Sequence, residues 1–181
     1  MDKVLCANRG LGKIIAPLAL ALLAGCATPA THEGMIADRY DIEHQHAKSV
    51  SVSTVGGAET SATGTPRISD ADFTKALVES INKSQVFSKV LPGTGADYVL
   101  QVAIISIEQP IFGGTFTVKM EAGWTLKRSD GTVAWQEAIQ SVHMVTISEE
   151  FVAATRLRVA TEGAARENIK KGLAKISRLN L

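Results

Sequence analysis

Cysteine is almost missing from this sequence: Cys6 and Cys26 are the only two among 181 residues. Both lie near the start, so no disulfide can staple the body of the chain, and no nucleophilic cysteine sits there. An excess of charge of either sign is missing as well. Nineteen Lys and Arg face 18 Asp and Glu, and a nucleic-acid-binding domain would need a clear basic excess. Long apolar runs are absent too. The run Ile14–Ala24 spans 11 residues, against roughly 20 for a helix that crosses a bilayer. No Gly-x-Ser-x-Gly, phosphate-binding glycine loop or His-Glu-x-x-His occurs. These absences point away from an enzyme.

What is present begins with residues 1–25, which have the three-part layout of an export signal. Lys3, Arg9 and Lys13 form a basic start, the apolar run follows, and small residues end it. The stretch Leu23-Ala24-Gly25-Cys26 resembles the lipobox of bacterial lipoproteins. That resemblance implies cleavage between Gly25 and Cys26, a thioether-linked diacylglycerol on the Cys26 sulfur, and an N-acyl chain on the new amino group. Two or three acyl chains anchor stably where one holds marginally, at about 0.8 kcal/mol per buried methylene. No other cofactor is expected. Ala27, where an Asp would mark retention at the inner membrane, resembles outer-membrane sorting. The expected address is the outer membrane, facing the periplasm.

Cleavage removes Lys3, Arg9, Lys13 and Asp2, which leaves 16 basic and 17 acidic residues on 26–181. That length suits one domain plus a tether. From Arg156 onward, however, seven basic residues face only Glu162 and Glu167. Arg166, Lys170 and Lys171 are candidates for a partner surface. The alternative is a solvated helix face.

Residues 26–47 read as a lipidated tether, because Thr28-Pro29-Ala30-Thr31 breaks regular structure and Met35, Ile36 and Tyr40 are too sparse to fix a core element. Residues 48–181 read as a single α+β domain. Lys48–Ser53 alternates as a half-buried strand. Residues 56–66 form a flexible loop. A helix starts at the N-cap Ser69, with Phe73, Ala76, Leu77 and Ile81 on one face, and stops near Ser84. Val86-Phe87 packs inward. Tyr98–Ile107 is apolar on both faces, which predicts a strand covered on both sides. Phe116–Leu126 alternates cleanly, Ser129-Asp130-Gly131 turns, and Thr132–Ile147 returns with Val133, Trp135, Ile139 and Val145 in one register. Trp124 and Trp135 are expected to meet. A helix over about 149–178 ends the chain, with a bend or break allowed at Gly163. The order is βαβββα, an antiparallel-rich sheet with two helices on one face.

Two stretches carry a family resemblance: Ser84-Gln85-Val86-Phe87-Ser88-Lys89-Val90 and Gly95-Ala96-Asp97-Tyr98-Val99-Leu100-Gln101-Val102. They resemble a group of envelope domains. The group includes the amino-terminal domain of the Tol-system β-propeller protein, the curli-secretion lipoprotein, and the lipoprotein activators of penicillin-binding proteins. The curli pores' extra membrane-spanning hairpins have no room here. The resemblance implies protein–protein contact in the periplasm and carries over no catalytic residue. The Asp/Arg pattern of the peptidoglycan-binding domain of outer-membrane anchors is absent.

Few residues remain as candidates for chemistry. His44 and His46, two apart and near His32, Asp38, Asp41 and Glu43, would share one face of a strand and are candidate metal ligands. His143 reads as a packed core or sheet-edge histidine, with Glu137 too far along the strand to serve as its acid–base partner. Ile111 and Phe112, beside Gly113-Gly114, are a candidate apolar contact tip. The expected function is a non-enzymatic accessory module in envelope assembly, transport or cell-wall maintenance, held to a membrane and binding an envelope protein. The alternative is a small-ligand or metal-binding lipoprotein.

Overall fold

Ser69 does what its position promises: its Oγ accepts from the Asp72 amide at 3.1 Å and starts helix α1, Asp70–Ser84. Asp70 and Asp72 complement the positive end of the helix dipole. Gln85 closes the helix in the left-handed region, φ 58°, and turns the chain into a short strand. The structure is a computed structural model describing residues 28–181; the signal segment, Gly25 and Cys26 lie outside the described residues.

The strands are β1 (His46–Val55), β2 (Phe87–Val90), β3 (Tyr98–Glu108), β4 (Thr115–Arg128) and β5 (Val133–Thr146). They make one sheet in the order β2-β1-β3-β4-β5. β1 runs parallel to both β2 and β3, and the β3–β4 and β4–β5 pairs are antiparallel. The α+β class holds, but the sheet is mixed, and β2 is a strand where only an inward-packing Val86-Phe87 was expected. Four residues are too short a run to show a period. Pairing with β1 is what makes them a strand.

The resemblance-bearing motifs have structural work to do. The Asp97 carboxylate accepts from both the amide and the hydroxyl of Ser49, at 2.8 and 2.6 Å, and the Asp97 amide returns a bond to the Ser49 hydroxyl at 3.0 Å. This clamp sets the parallel register, Val50 opposite Tyr98. The same bonds hold the Asp97 carboxyl below its usual pKa. Phe87 lies between the rings of His46 and Tyr98, with centroids 5.6 and 6.3 Å away.

Helix α2 (Ala153–Ile176) is continuous through Gly163. It packs on β4 and β5, while α1 packs on β1 and β2, both on the same face. The β4 alternation is realised: Phe116, Val118, Met120, Ala122, Trp124 and Leu126 are all buried. β3 departs from expectation. Leu100 and Val102 are buried against the helices, but Val99 and Ile105 are exposed on the other side, which no layer of the described residues covers. Val133 is exposed as well, because an irregularity between Leu126 and Lys127 shifts it out of the inward register. Trp135 stands opposite Leu126 and Trp124 opposite Glu137, so the two indoles share the inner face without pairing directly.

Two glycines let α2 come close. A Cβ at Gly172 would collide with the Trp124 indole, and one at Gly163 with the His143 ring. Between them, the Trp124 Nε1–H donates to the Asn168 Oδ1 at 2.9 Å. The Asn168 amide donates to the Ile139 carbonyl at 2.8 Å, and the Ser141 hydroxyl to the Ala164 carbonyl at 2.8 Å. All these polar atoms are buried and partnered, as a dry interface requires.

Gly172→Val is therefore expected to lower stability by about 1–3 kcal/mol through overpacking, despite valine's better helix propensity. Urea unfolding measures this; an unchanged midpoint would refute the close-contact account. Asn168→Ala leaves the indole N–H and the Ile139 carbonyl without partners, and a loss of about 2–4 kcal/mol is expected in the same experiment.

Candidate functional surfaces

The segment before β1 is not a loose tether over its described part. From Ala30 it runs as a strap along α2 and α1. Ala30 and Met35 are fully buried in the core, and a single 3-10 turn, Glu33–Met35, places the methionine. The Glu162 carboxylate accepts from the Thr31 amide at 2.9 Å, and the Arg166 guanidinium donates to the Gly34 carbonyl at 2.9 Å. The Tyr40 hydroxyl donates to Ser80 at 2.6 Å and accepts from the Ala37 amide at 3.0 Å. Arg178 meets Glu43 and Asp41 at 3.1 and 3.5 Å. Sparse apolar residues had pointed to a tether, but widely spaced ones suffice when two helices already supply a bed.

This changes the reading of the basic helix. Arg158 is bonded to Glu162 at 2.9 Å and Lys175 to Glu137 at 2.6 Å. Lys171 donates to the Gln140 carbonyl at 2.9 Å, and Lys170 pairs with Glu167 at 3.1 Å. Arg166 holds the strap. Most of the run is thus engaged in local contacts: Lys171 and Lys175 reach the sheet, Arg166 and Arg178 the strap, and Arg158 and Lys170 pair within α2.

Arg156 shows this most clearly. It is buried, and its guanidinium lies 4.5 Å over the Phe116 ring. It donates to the carbonyls of Glu150 at 2.8 Å, Phe151 at 3.2 Å and Gly113 at 3.3 Å. One side chain therefore ties the β3–β4 loop to the loop before α2. Both loops carry apolar side chains pointing away from the core. Ile111 is 93% and Phe112 85% exposed on the first, and Phe151 is 81% exposed on the second. Ile111 and Phe112 were legible in the sequence as an exposed apolar tip. Phe151 and Val152 were not, because nothing local signals that they come to the same end of the sheet.

His44 and His46 are not brought together as a metal pair. His44 precedes β1, is exposed, and lies 3.8 Å from Glu43. His46 is buried, with Nε2 3.0 Å from the Ile176 carbonyl at the end of α2. Its neighbours made it look like a ligand; in the fold it closes a helix end. Among the described residues, no group of three His, Cys, Asp or Glu side chains is placed to hold a metal ion. His143 is half-buried against Gly163, and Glu137, its in-register neighbour, is paired with Lys175. A cavity of about 200 Å³ beside Gly56, Ile104 and Gln109 has Arg67 as its one ionisable lining residue.

No family model matches the chain, and no curated protein matches it. Solved structures do. Protein XCC0632 from Xanthomonas campestris, of family DUF330, superposes with a TM-score of 0.54 at 11% identity, over 83% of this chain and 91% of that one. Protein CT253 from Chlamydia trachomatis gives 0.50 at 10% identity, over 73% and 98%. A minor lipoprotein from Acinetobacter baumannii gives 0.47 at 9%, over 74% and 92%. At these identities the first two likenesses establish a shared fold.

Burial, and then the Arg166 charge, push the His143 imidazole below its usual pKa; Glu167 and Glu149 oppose this more weakly. The unfolded chain therefore binds the proton more readily, and stability rises with pH between the folded and unfolded values. Stability is expected to fall as pH drops below about 6.5, and His143→Gln should flatten that part of the profile. Urea midpoints across this range test it. The carboxylates with lowered values, Glu33, Asp97, Asp130 and Glu149, add their own loss only at more acidic pH.

Proposed function

We propose that the protein is an outer-membrane lipoprotein, anchored through acyl chains on Cys26, whose α+β domain serves as a non-enzymatic accessory module in the periplasm. The observation that carries the reading is the run Leu23-Ala24-Gly25-Cys26 directly after an apolar segment of signal length. The packed domain is compatible with it. Among the described residues, the Ala30 amide bonds the Arg67 carbonyl and Thr31 bonds Glu162, so the domain's N-terminal strap begins a few residues after Cys26. Among the described residues no helix is long and apolar enough to cross a membrane.

The accessory role is supported by the resemblance of residues 84–90 and 95–102 to envelope domains that work by protein contact. The uncovered sheet face around Val99, Ile105, Val142 and Met144 offers such contact an apolar surface. Against the metal-binding alternative stands the placing of its two histidines: His46 Nε2 lies 3.0 Å from the Ile176 carbonyl, and His44 is exposed beside Glu43.

The test is Cys26→Ser in the full chain. Wild-type protein is expected to pellet with membranes and to incorporate labelled palmitate, and the variant to do neither. A variant that still fractionates with membranes and a wild type that takes up no label would sink the assignment.

A further inference from the structure

The described chain enters the domain at a definite place. The Ala30 amide donates to the Arg67 carbonyl at 3.2 Å. The neighbouring Pro66 carbonyl accepts from Gln109 at 2.7 Å, and Gln109 also donates to Thr161 at 2.8 Å. Gln109 immediately precedes Pro110-Ile111-Phe112. Ala30 therefore sits just below the loops that carry Ile111, Phe112 and Phe151. The opposite end of the sheet holds the Ser129–Gly131 turn.

Only four residue steps separate Cys26 from Ala30. Fully extended, they reach at most about 14 Å. Thr31 is fixed at Glu162, nine residues into α2 from Ala153, which is about 13 Å along the helix axis. A lipid on Cys26 can thus reach little beyond the level where α2 begins. The exposed loops project at that level or past it. They meet the leaflet before the leash is taut.

From this we infer that the Ile111–Phe112 and Phe151–Val152 loops form a membrane-contacting end, which dips its apolar side chains into the leaflet that carries the Cys26 acyl chains. The inference rests on the lipoprotein reading above. Large exposed apolar groups at loop tips otherwise have no reason to gather at the end nearest the anchor. Attraction to anionic headgroups does not drive the contact, because the charges beside it are Glu149 and Glu150 and Arg156 is buried. Area removed from water drives it, so salt leaves it intact. The buried Arg156 fixes the two loops relative to each other, giving one rigid footprint.

The experiment uses the full chain, lipidated in its host and reconstituted into phosphatidylcholine vesicles containing a nitroxide-labelled phosphatidylcholine. With Cys6 lost and Cys26 acylated, an introduced cysteine is the one free thiol. Phe112→Cys, Phe151→Cys, Ser129→Cys and Asp38→Cys are each labelled with a fluorophore. Asp38 is fully exposed on the strap side of the domain, and Ser129 lies at the far turn. The nitroxide is expected to quench the probes at 112 and 151, in low and high salt alike, and to leave 129 and 38 bright. Quenching at 38 with 112 bright means the domain lies on its side, and overturns the inference. Four bright probes on vesicle-bound, palmitate-labelled protein also overturn it while leaving lipidation intact. Protein that takes up no palmitate and stays off the vesicles overturns both readings.

Discussion

The distance between α2 and the β4–β5 hairpin is the constraint on which the rest of this structure depends. It is set by absence: at Gly172 and Gly163 there is no Cβ to hold the helix away from the rings of Trp124 and His143. Close approach dries the interface. Drying in turn obliges Trp124, Asn168, Ser141 and the Ile139 carbonyl to find one another, because a buried polar atom left alone is costly. Small residues and a polar network here are two sides of one requirement. The helix gives up some intrinsic propensity at both glycines and recovers it in packing that a larger residue would prevent.

With α2 seated, other parts follow. Its outer side becomes the bed for the strap through Glu162 and Arg166, and its first turn brings Arg156 under two loops at once. Its last turn offers the Ile176 carbonyl to His46 at the start of β1. The basic residues are thus joints. A charged side chain held against a backbone carbonyl or a carboxylate at a half-buried site is less screened by solvent than one on an open face. Such positions suit Arg in particular, whose planar fork serves several acceptors together, as Arg156 does. The charge run alone could not reveal this, since joints and patches have the same composition.

Mechanically, the arrangement gives a domain with a clamped entry segment and one rigid end. A loose segment of that length would move independently of the domain, and a strap packed from Ala30 onward removes that freedom. Under the lipid attachment proposed above, the strap would hold the domain's orientation close to its anchor, so that orientation, more than reach, is what this segment would supply.

Where the signal was local, the sequence was sufficient. Ser69 and the two aspartates mark the start of α1, because capping needs only neighbours three residues apart. The β4 alternation, from Phe116 to Leu126, and the Gly131 turn at φ 87° are legible for the same reason. So is the Ile111–Phe112 tip, apolar residues set against glycines. The α+β class and the two helices on one face came from these local periods. What only the tertiary structure decided was how distant residues meet. β2 is a strand because β1 is beside it. Residues 30–46 are a strap because α1 and α2 make a groove for them. His46 turns inward because a helix ends there, and β3 has one bare face because the described residues form no third layer to cover it. Phe151 joins Phe112 through pairing across the sheet and a buried arginine. Period and capping are properties of a few consecutive residues, whereas partnership between segments depends on where the whole chain places them.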